Sequence, residues 1–427
     1  MSRLFYTLIF YLGLPLIVLR LLYRAWKAPA YAKRWSERFG FFTGPSDSQK
    51  SIWVHTVSVG ESIAAAPLVR KLMEACPDHR IVVTTMTPTG SEQVKKLYGD
   101  SMFHVYAPYD LPGSVSRFLN KIQPELAIFM ETELWPNTVA ACHKRNIPTL
   151  LTNARLSERS ARGYQRISSL SRNMLTKLSF IAAQTEDDAR RFTELGFPKA
   201  RMKVTGTLKY DIAVSQELRT EGQSLRVQWL SGRPEHARIF IAASTHKGED
   251  EQVIEAFQSV RDSLPDTLLI LVPRHPERFN PVYEQLSGGG LQVSRRSTND
   301  PVTPETDVLL GDTMGELMRM FAASDIAFVG GSLVEHGGHN PLEPAALGLP
   351  TIMGPHVFNF AEVVQTMEQA GALATVHTAA GLARQTAYLL ADREACLEVG
   401  KAATEVMDRN RGALDQQLML SMALLDK

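Results

Sequence analysis

The stretch Ile326–Pro350, IAFVGGSLVEHGGHNPLEPAALGLP, reads as a buried strand, a glycine turn and the start of a helix. Its first four residues are wholly apolar. The glycine pairs at 330–331 and 337–338 let a backbone turn sharply and approach a ligand with no Cβ in the way. Asn340 then stands where a helix N-cap belongs, Pro341 at the first helical position and Glu343 three residues beyond the cap. Unpaired N–H groups at such a helix start suit a phosphate. An Asn-x-x-Glu capping box in an ordinary loop reads identically, so this stretch alone leaves both readings open.

The same strand–turn–helix rhythm runs outward through most of the chain. Strands are predicted over 52–57, 81–85, 103–106, 126–130, 149–152, 180–183 and 202–204, with amphipathic helices between them and a long basic helix over 160–177. The rhythm weakens between Asp211 and Arg238, where polar residues dominate, and restarts with strands over 239–243, 268–272, 291–294 and 308–310. Strict alternation argues for parallel βαβ units with helices on both faces. The expected architecture is therefore α/β, with two Rossmann-like doubly wound domains facing a cleft that the carboxyl ends of both sets of strands would line. The expected division is 1–24 as a membrane anchor, 25–212 as an acceptor domain, 213–238 as a linker and 239–427 as a nucleotide-sugar domain whose last helices can pack back on the first.

Composition narrows the function. The 427 residues include 46 basic and 45 acidic ones, a net +1 that gives no reason to expect nucleic acid. Three cysteines, far apart and in no metal-ligand spacing, fit a reducing cytoplasmic setting. Leu4 to Leu19 carries no charge, and Arg24, Lys27, Lys33 and Arg34 follow where a signal peptide would carry a small-residue cleavage site. A retained anchor is the expectation, with the rest of the chain cytoplasmic by the positive-inside rule. Gly13 and Pro15 interrupt the run and keep a membrane-surface helix in view.

Polar residues placed just after predicted strands are the candidates for chemistry. Ser58-Val59-Gly60-Glu61 delivers a carboxylate at a helix start, fit either to accept a proton or simply to meet the helix dipole. Glu131-Thr132-Glu133-Leu134-Trp135-Pro136 sets two acids beside a Trp and a Pro. Lys209, in TGTLKYD, offers a positive charge near the hinge, or an ordinary surface lysine. Pro273-Arg274-His275-Pro276 holds a guanidinium fork between prolines, fit for a phosphate or carboxylate. Gly311–Glu316 places Thr313 and Glu316 in capping-box spacing. No Walker loop, G-x-G-x-x-G fingerprint, H-E-x-x-H or D-x-D pair is present, so a bridging metal has no evident ligand set.

With these motifs laid out, the chain resembles the 3-deoxy-D-manno-octulosonic acid (Kdo) transferases, membrane-anchored GT-B glycosyltransferases of Gram-negative bacteria. The segments that carry the resemblance are, in order, KAPAYAKRWSERFG after the apolar N-terminus, HTVSVGE, TTMTPTGSE, YDLP, METELWPN, NARLS, TGTLKYD, VPRHPERF, GDTMGEL and GGHNPLEPA. The resemblance implies inverting, metal-independent transfer of Kdo from CMP-Kdo, a co-substrate rather than a cofactor, to the lipid A precursor (lipid IVA) in the inner leaflet of the bacterial inner membrane. It further implies Glu61 as the general base and Glu131 and Lys209 as transition-state aids. On the CMP side it implies Arg274, His275, Met314, Gly315, Glu316, Gly337, Gly338, His339, Asn340 and Glu343, with His336 unassigned. Another GT-B sugar-nucleotide transferase, an epimerase, or a non-catalytic membrane-tethered binding protein are the alternatives.

Overall fold

The computed structural model describes residues 2–45 and 49–426. It divides into two compact units, residues 1–211 with 410–427, and residues 212–409.

The first unit opens with helix α1 (Arg3–Lys27), continuous through Gly13 and Pro15. Seven strands follow, β1 (Ser51–His55), β2 (Arg80–Thr85), β3 (Phe103–Tyr106), β4 (Pro124–Met130), β5 (Thr149–Ala154), β6 (Phe180–Ala183) and β7 (Met202–Val204). Helices α2 (Val59–Ala75), α3 (Pro88–Tyr98), α4 (Pro112–Ile122), α5 (Pro136–Lys144), α6 (Glu158–Arg166), α7 (Ser168–Leu175) and α8 (Glu186–Glu194) connect them. All neighbours pair in parallel in the order β3-β2-β1-β4-β5-β6-β7. Alternate residues of each strand feed opposite faces. Trp53, Val82 and Phe129 join Phe118 of α4 in one apolar layer, and Ile52, Val54, Ile128 and Met130 join Leu68 and Leu72 of α2 in the other. With both faces covered, the central strands are largely apolar, which makes them legible as apolar runs.

The single basic helix expected over 160–177 is instead the pair α6 and α7. Ile167 leaves helical geometry between them, and the Ser171 hydroxyl donates to the carbonyls of Tyr164 (2.8 Å) and Ile167 (3.3 Å). A serine that bonds back to the preceding turn competes with the helix ladder.

The second unit begins with α9 (Gln216–Trp229), inside the stretch expected as linker. Its seven strands are β8 (Ile239–Thr245), β9 (Leu268–Pro273), β10 (Val293–Arg295), β11 (Val308–Leu310), β12 (Ile326–Val329), β13 (Thr351–Met353) and β14 (Leu373–Thr375). They pair in parallel in the order β10-β11-β9-β8-β12-β13-β14. Between and after them run α10 (Asp250–Ser263), α11 (Phe279–Gly288), α12 (Leu317–Ala323), α13 (Leu342–Ala346), α14 (Ala361–Gln369), α15 (Ala379–Ala391) and α16 (Arg393–Asn410). Trp229 of α9 is buried against Ile241, Ile270 and Phe321, so this helix covers one face of the sheet.

The last helix, α17 (Ala413–Leu425), returns to the first unit. Ala413 and Leu424 enter the layer built on Ile52 and Val54. Asp211 accepts the N–H groups of Gly412 and Leu414, both at 2.8 Å, and buried Gln417 bonds the hydroxyls of Thr152 and Thr205.

Candidate active site

In an open parallel sheet the crevice for a ligand lies where the strand order reverses. In the first unit that point falls between β1 and β4, in the second between β8 and β12. In each unit the polar residues that follow these strands form a candidate site.

In the first unit, Ser58 caps α2 by accepting the Glu61 N–H (3.3 Å). The Glu61 carboxylate is tied back to the same turn, with one oxygen accepting from the Ser58 hydroxyl (3.0 Å) and the other from the Val57 N–H (2.8 Å). These bonds fix its position. Burial, reinforced by the negative charges of Glu131 and Glu133 after β4, raises its pKa to about 7 against bonds from Val57 and Ser58 that favour the charged form. Glu131 is held in the left-handed region (φ 54°), rare for a residue with a side chain, by its N–H to Thr152 (3.0 Å). Glu133 is raised by burial and by Glu131. Glu61 therefore lies within electrostatic reach of Glu131 and Glu133. Lys209 lies after β7, half-buried on a short 3-10 turn that packs on α2. The neighbouring Leu208 N–H bonds the side chain of buried Asn153 (3.2 Å), itself left-handed at φ 49°.

In the second unit, four histidines converge. His246, buried after β8, stacks on exposed His336 (ring centroids 4.1 Å) and lies edge-on to His275 (5.3 Å). Its Nε2 meets Nε2 of His339 at 2.8 Å, so one ring donates and the other accepts. Burial first, then neighbouring histidines and the guanidiniums of Arg274 and Arg278, lower the pKa of His246 to about 4. Burial, then Arg274 and the histidines, lower His339 to about 3. Both rings are neutral at pH 7 in a site that is already cationic.

The glycine-rich loop that leads to Asn340 is tied down by a buried carboxylate and by its own carbonyls. The buried Glu249 carboxylate accepts N–H groups from Gly331 (2.7 Å), Ser332 (2.9 Å), Leu333 (2.8 Å) and His246 (3.1 Å). The Gly338 and His339 N–H groups bond the carbonyls of Gly331 and Gly330. Asn340 accepts from Leu342 (3.1 Å) and donates to Glu343 (3.2 Å), while burial raises the Glu343 pKa. The helix that follows is only Leu342–Ala346, with Pro341 rather than Asn340 at its cap. These amides have internal acceptors, so the positive character here comes mainly from side chains. Gly337 and Gly338 have φ of 89° and 73°, and a Cβ on Gly337 would strike the side chains of Phe358 and Asn359.

Met314, 56% exposed, and Gly315 follow β11 at the open rim. Glu316 does not complete a capping box. Arg296 donates twice to its carboxylate (2.9 and 3.1 Å), and Thr313 adds a third bond (2.6 Å). Arg296 first, then burial opposed by Thr313, sets its pKa below the usual value.

Sequence reading missed His246, Glu249 and Arg278. The first stands one residue past a buried strand, the same rule that found Glu61. Glu249 and Arg278 act through partners distant in sequence, and Arg278 pairs with buried Asp250 and donates to the Thr245 carbonyl (3.1 Å).

Comparison with known proteins follows this division. Residues 33–212 match the family described as 3-deoxy-D-manno-octulosonic-acid transferase (kdotransferase), and residues 231–406 match glycosyl transferases group 1. The chain is 47% identical over 429 residues to the 3-deoxy-D-manno-octulosonic acid transferase of Haemophilus influenzae, covering 100% of both. It is 37% identical over 375 residues to that of Bordetella pertussis, covering 84% of this chain and 85% of the relative. In fold it is similar to UDP-GlcNAc 2-epimerase from Neisseria meningitidis bound to UDP-GlcNAc, with a TM-score of 0.55 and 14% identity over 87% of this chain and 99% of that one.

Proposed function

Because the chain belongs to the Kdo transferase family and is a glycosyltransferase, we propose that it moves Kdo from CMP-Kdo to a sugar hydroxyl of a lipid A precursor, inverting the anomeric carbon without a metal ion. Glu61 is the general base. The observation that carries this reading is a carboxylate fixed at the switch point of the first sheet with a pKa near 7, poised to take a proton at neutral pH.

Glu61 removes the acceptor proton as the hydroxyl oxygen bonds to the anomeric carbon, and the bond from that carbon to the CMP phosphate breaks with its electron pair on phosphate. Charge therefore separates, negative on CMP and positive on the sugar. Groups that bind the separated charges better than the substrate accelerate the step. Arg274 and His275 are exposed beside the buried histidine pair and meet the phosphate. Burial first and cationic neighbours second keep His246 and His339 neutral, and a bound anion opposes the second of these and favours a proton on the pair. Glu131 faces the growing positive charge on the sugar, and Lys209 assists the phosphate. Gly337 and Gly338 give the nucleotide close backbone approach, while Met314, Gly315, Glu316, Asn340 and Glu343 line its path.

The same reading puts the protein on the cytoplasmic face of the inner membrane, tethered by α1, whose most apolar 18-residue window has a mean hydropathy of 2.0 and whose span Arg3–Trp26 suffices in length and composition to cross a bilayer. The decisive experiment is mass spectrometry of lipid products from purified full-length protein with CMP-Kdo and lipid IVA, with UDP-sugars in parallel. A mass increase of one or more Kdo units, seen only with CMP-Kdo and persisting in excess EDTA, is expected. No Kdo adduct, or loss of transfer on chelation that added metal restores, overturns it.

A further inference from the structure

Helix α1 carries two apolar faces that demand different neighbours. Phe10, Leu14, Ile17 and Leu21, at spacings of four, three and four, pack on Met86, Tyr109 and Leu111 of the first unit. The Thr7 hydroxyl and the buried Asn137 amide hydrogen-bond each other at 2.9 to 3.1 Å, and that amide also donates to the Asp110 carbonyl (2.8 Å). The opposite face is bare and equally apolar, with Leu8, Leu12, Leu16, Leu19 and Trp26 all exposed, Leu12 at 71%.

The docked face fixes the orientation. From Thr7 to Leu21 the helix runs about 21 Å at 1.5 Å per residue, a large part of the ~30 Å hydrocarbon core. Were α1 to cross the bilayer, everything packed along that length would enter the hydrocarbon. Buried Asp110 and Asn137, and the polar strand ends beside them, would enter with it. Charged and strongly polar side chains are disfavoured at that depth. A helix in the plane of the membrane meets no such conflict, since its bare face enters the headgroup and acyl boundary by about 5–10 Å. Charge agrees with this placement. No acidic residue occurs before Glu37, while Arg3, Arg20, Arg24 and Lys33 are exposed along the segment, a pattern that favours anionic headgroups.

We propose that α1 is a monotopic anchor, lying in the cytoplasmic leaflet with its Leu8–Leu12–Leu16–Leu19 face immersed and its N-terminus on the same side as the catalytic units. The occupant of that face is the bilayer, and this rests on the membrane location given above. The test uses full-length protein in a Cys396→Ala background, Cys76 and Cys142 being buried. Single cysteines replace Leu8, Leu12, Leu16 and Leu19, each carrying an environment-sensitive fluorophore, in phosphatidylethanolamine–phosphatidylglycerol vesicles with nitroxides at shallow or deep acyl positions. Quenching within about twofold at all four sites, stronger with the shallow nitroxide, is expected. A profile that peaks deep at Leu12 and falls on both sides overturns the in-plane helix and leaves membrane location standing. No quenching at any site overturns both, and a dimer in sedimentation under those conditions assigns the face to a second copy. Independently, Ser2→Cys in the same background should resist an impermeant maleimide in spheroplasts and react in inverted membrane vesicles. Labelling in spheroplasts overturns the proposal.

Discussion

At the scale of single residues, Glu61 carries the proposed chemistry and a measurable thermodynamic signature. Glu61→Gln is expected to lower kcat by about 10²–10⁴-fold while CMP affinity, measured by calorimetry, holds. In the wild type, turnover should fall as pH drops through about 7, because the protonated carboxyl cannot accept a proton. The folded carboxyl sits near 7 against its usual 4.5, so the folded state keeps a proton that the unfolded chain releases between those values. Its contribution to stability is therefore lost as pH rises through that window, and Glu61→Gln should gain in melting temperature relative to wild type at pH 8 but not at pH 4. Removing one of the charges that raise this pKa should shift the kinetic limb, so Glu131→Gln is expected to move the acid side of the pH–kcat profile to lower pH, and an unmoved limb would separate the two acids. The position of Glu61 was legible as SVGE after a strand. Its proton affinity was not, because it depends on burial and on two acids that a parallel sheet brings alongside from some 70 residues away.

Among the elements, the glycine loop after β12 is held open by a single buried carboxylate. Glu249→Ala would strip four backbone N–H groups of their acceptor, at about 1–3 kcal/mol for each that stays buried and unpaired. We expect the second unit to lose at least ~3 kcal/mol in denaturant unfolding and CMP binding to vanish, with Glu249→Gln intermediate. Gly330→Ala should fail similarly, since its Cβ would lie 2.7 Å from the Ser244 carbonyl oxygen and 2.9 Å from a Glu249 oxygen. The central strands of both sheets answer to apolar runs because doubly covered parallel strands present no polar face, whereas edge strands such as β7 (Met-Lys-Val) and β10 (Val-Ser-Arg) mix polar residues in. Helices were harder to read. Gln, Glu, Arg and Ser dominate the length of α9 and hide it in the sequence, yet Leu218, Gly222, Leu225 and Trp229 repeat at four, three and four residues, and within that stripe Gly222 and Trp229 are buried. A weak stripe suffices where Gly222 lets the backbone close on Ala322. Local spacing also cannot show how the loop before Asn340 is held, since Glu249 and neighbouring carbonyls accept the N–H groups of Gly331, Ser332, Leu333, Gly338 and His339.

For the molecule as a whole, the first unit is written in two pieces, and its last piece is small but deeply built in. Deleting residues 411–427 removes Leu424 and Ala413 from a core layer, both N–H donors to Asp211, and Gln417 from Thr152 and Thr205. Calorimetry should show the transition of the first unit lowered by about 10 °C or more while that of the second persists, so a single two-state fit fails. The apolar layer around Ile52 and Val54 cannot be closed by anything made before residue 411. During synthesis the ribosome therefore passes through the roughly 200 residues of the second unit, about 10–40 s at 5–20 residues per second, before the lid of the first emerges. In that interval α1 is already outside the tunnel and free to meet a bilayer. All seven strands of the acid-bearing sheet are thus made well before the helix that completes one of its apolar layers. A chain halted before α17 carries a first sheet whose Ile52–Val54 layer lacks Ala413 and Leu424.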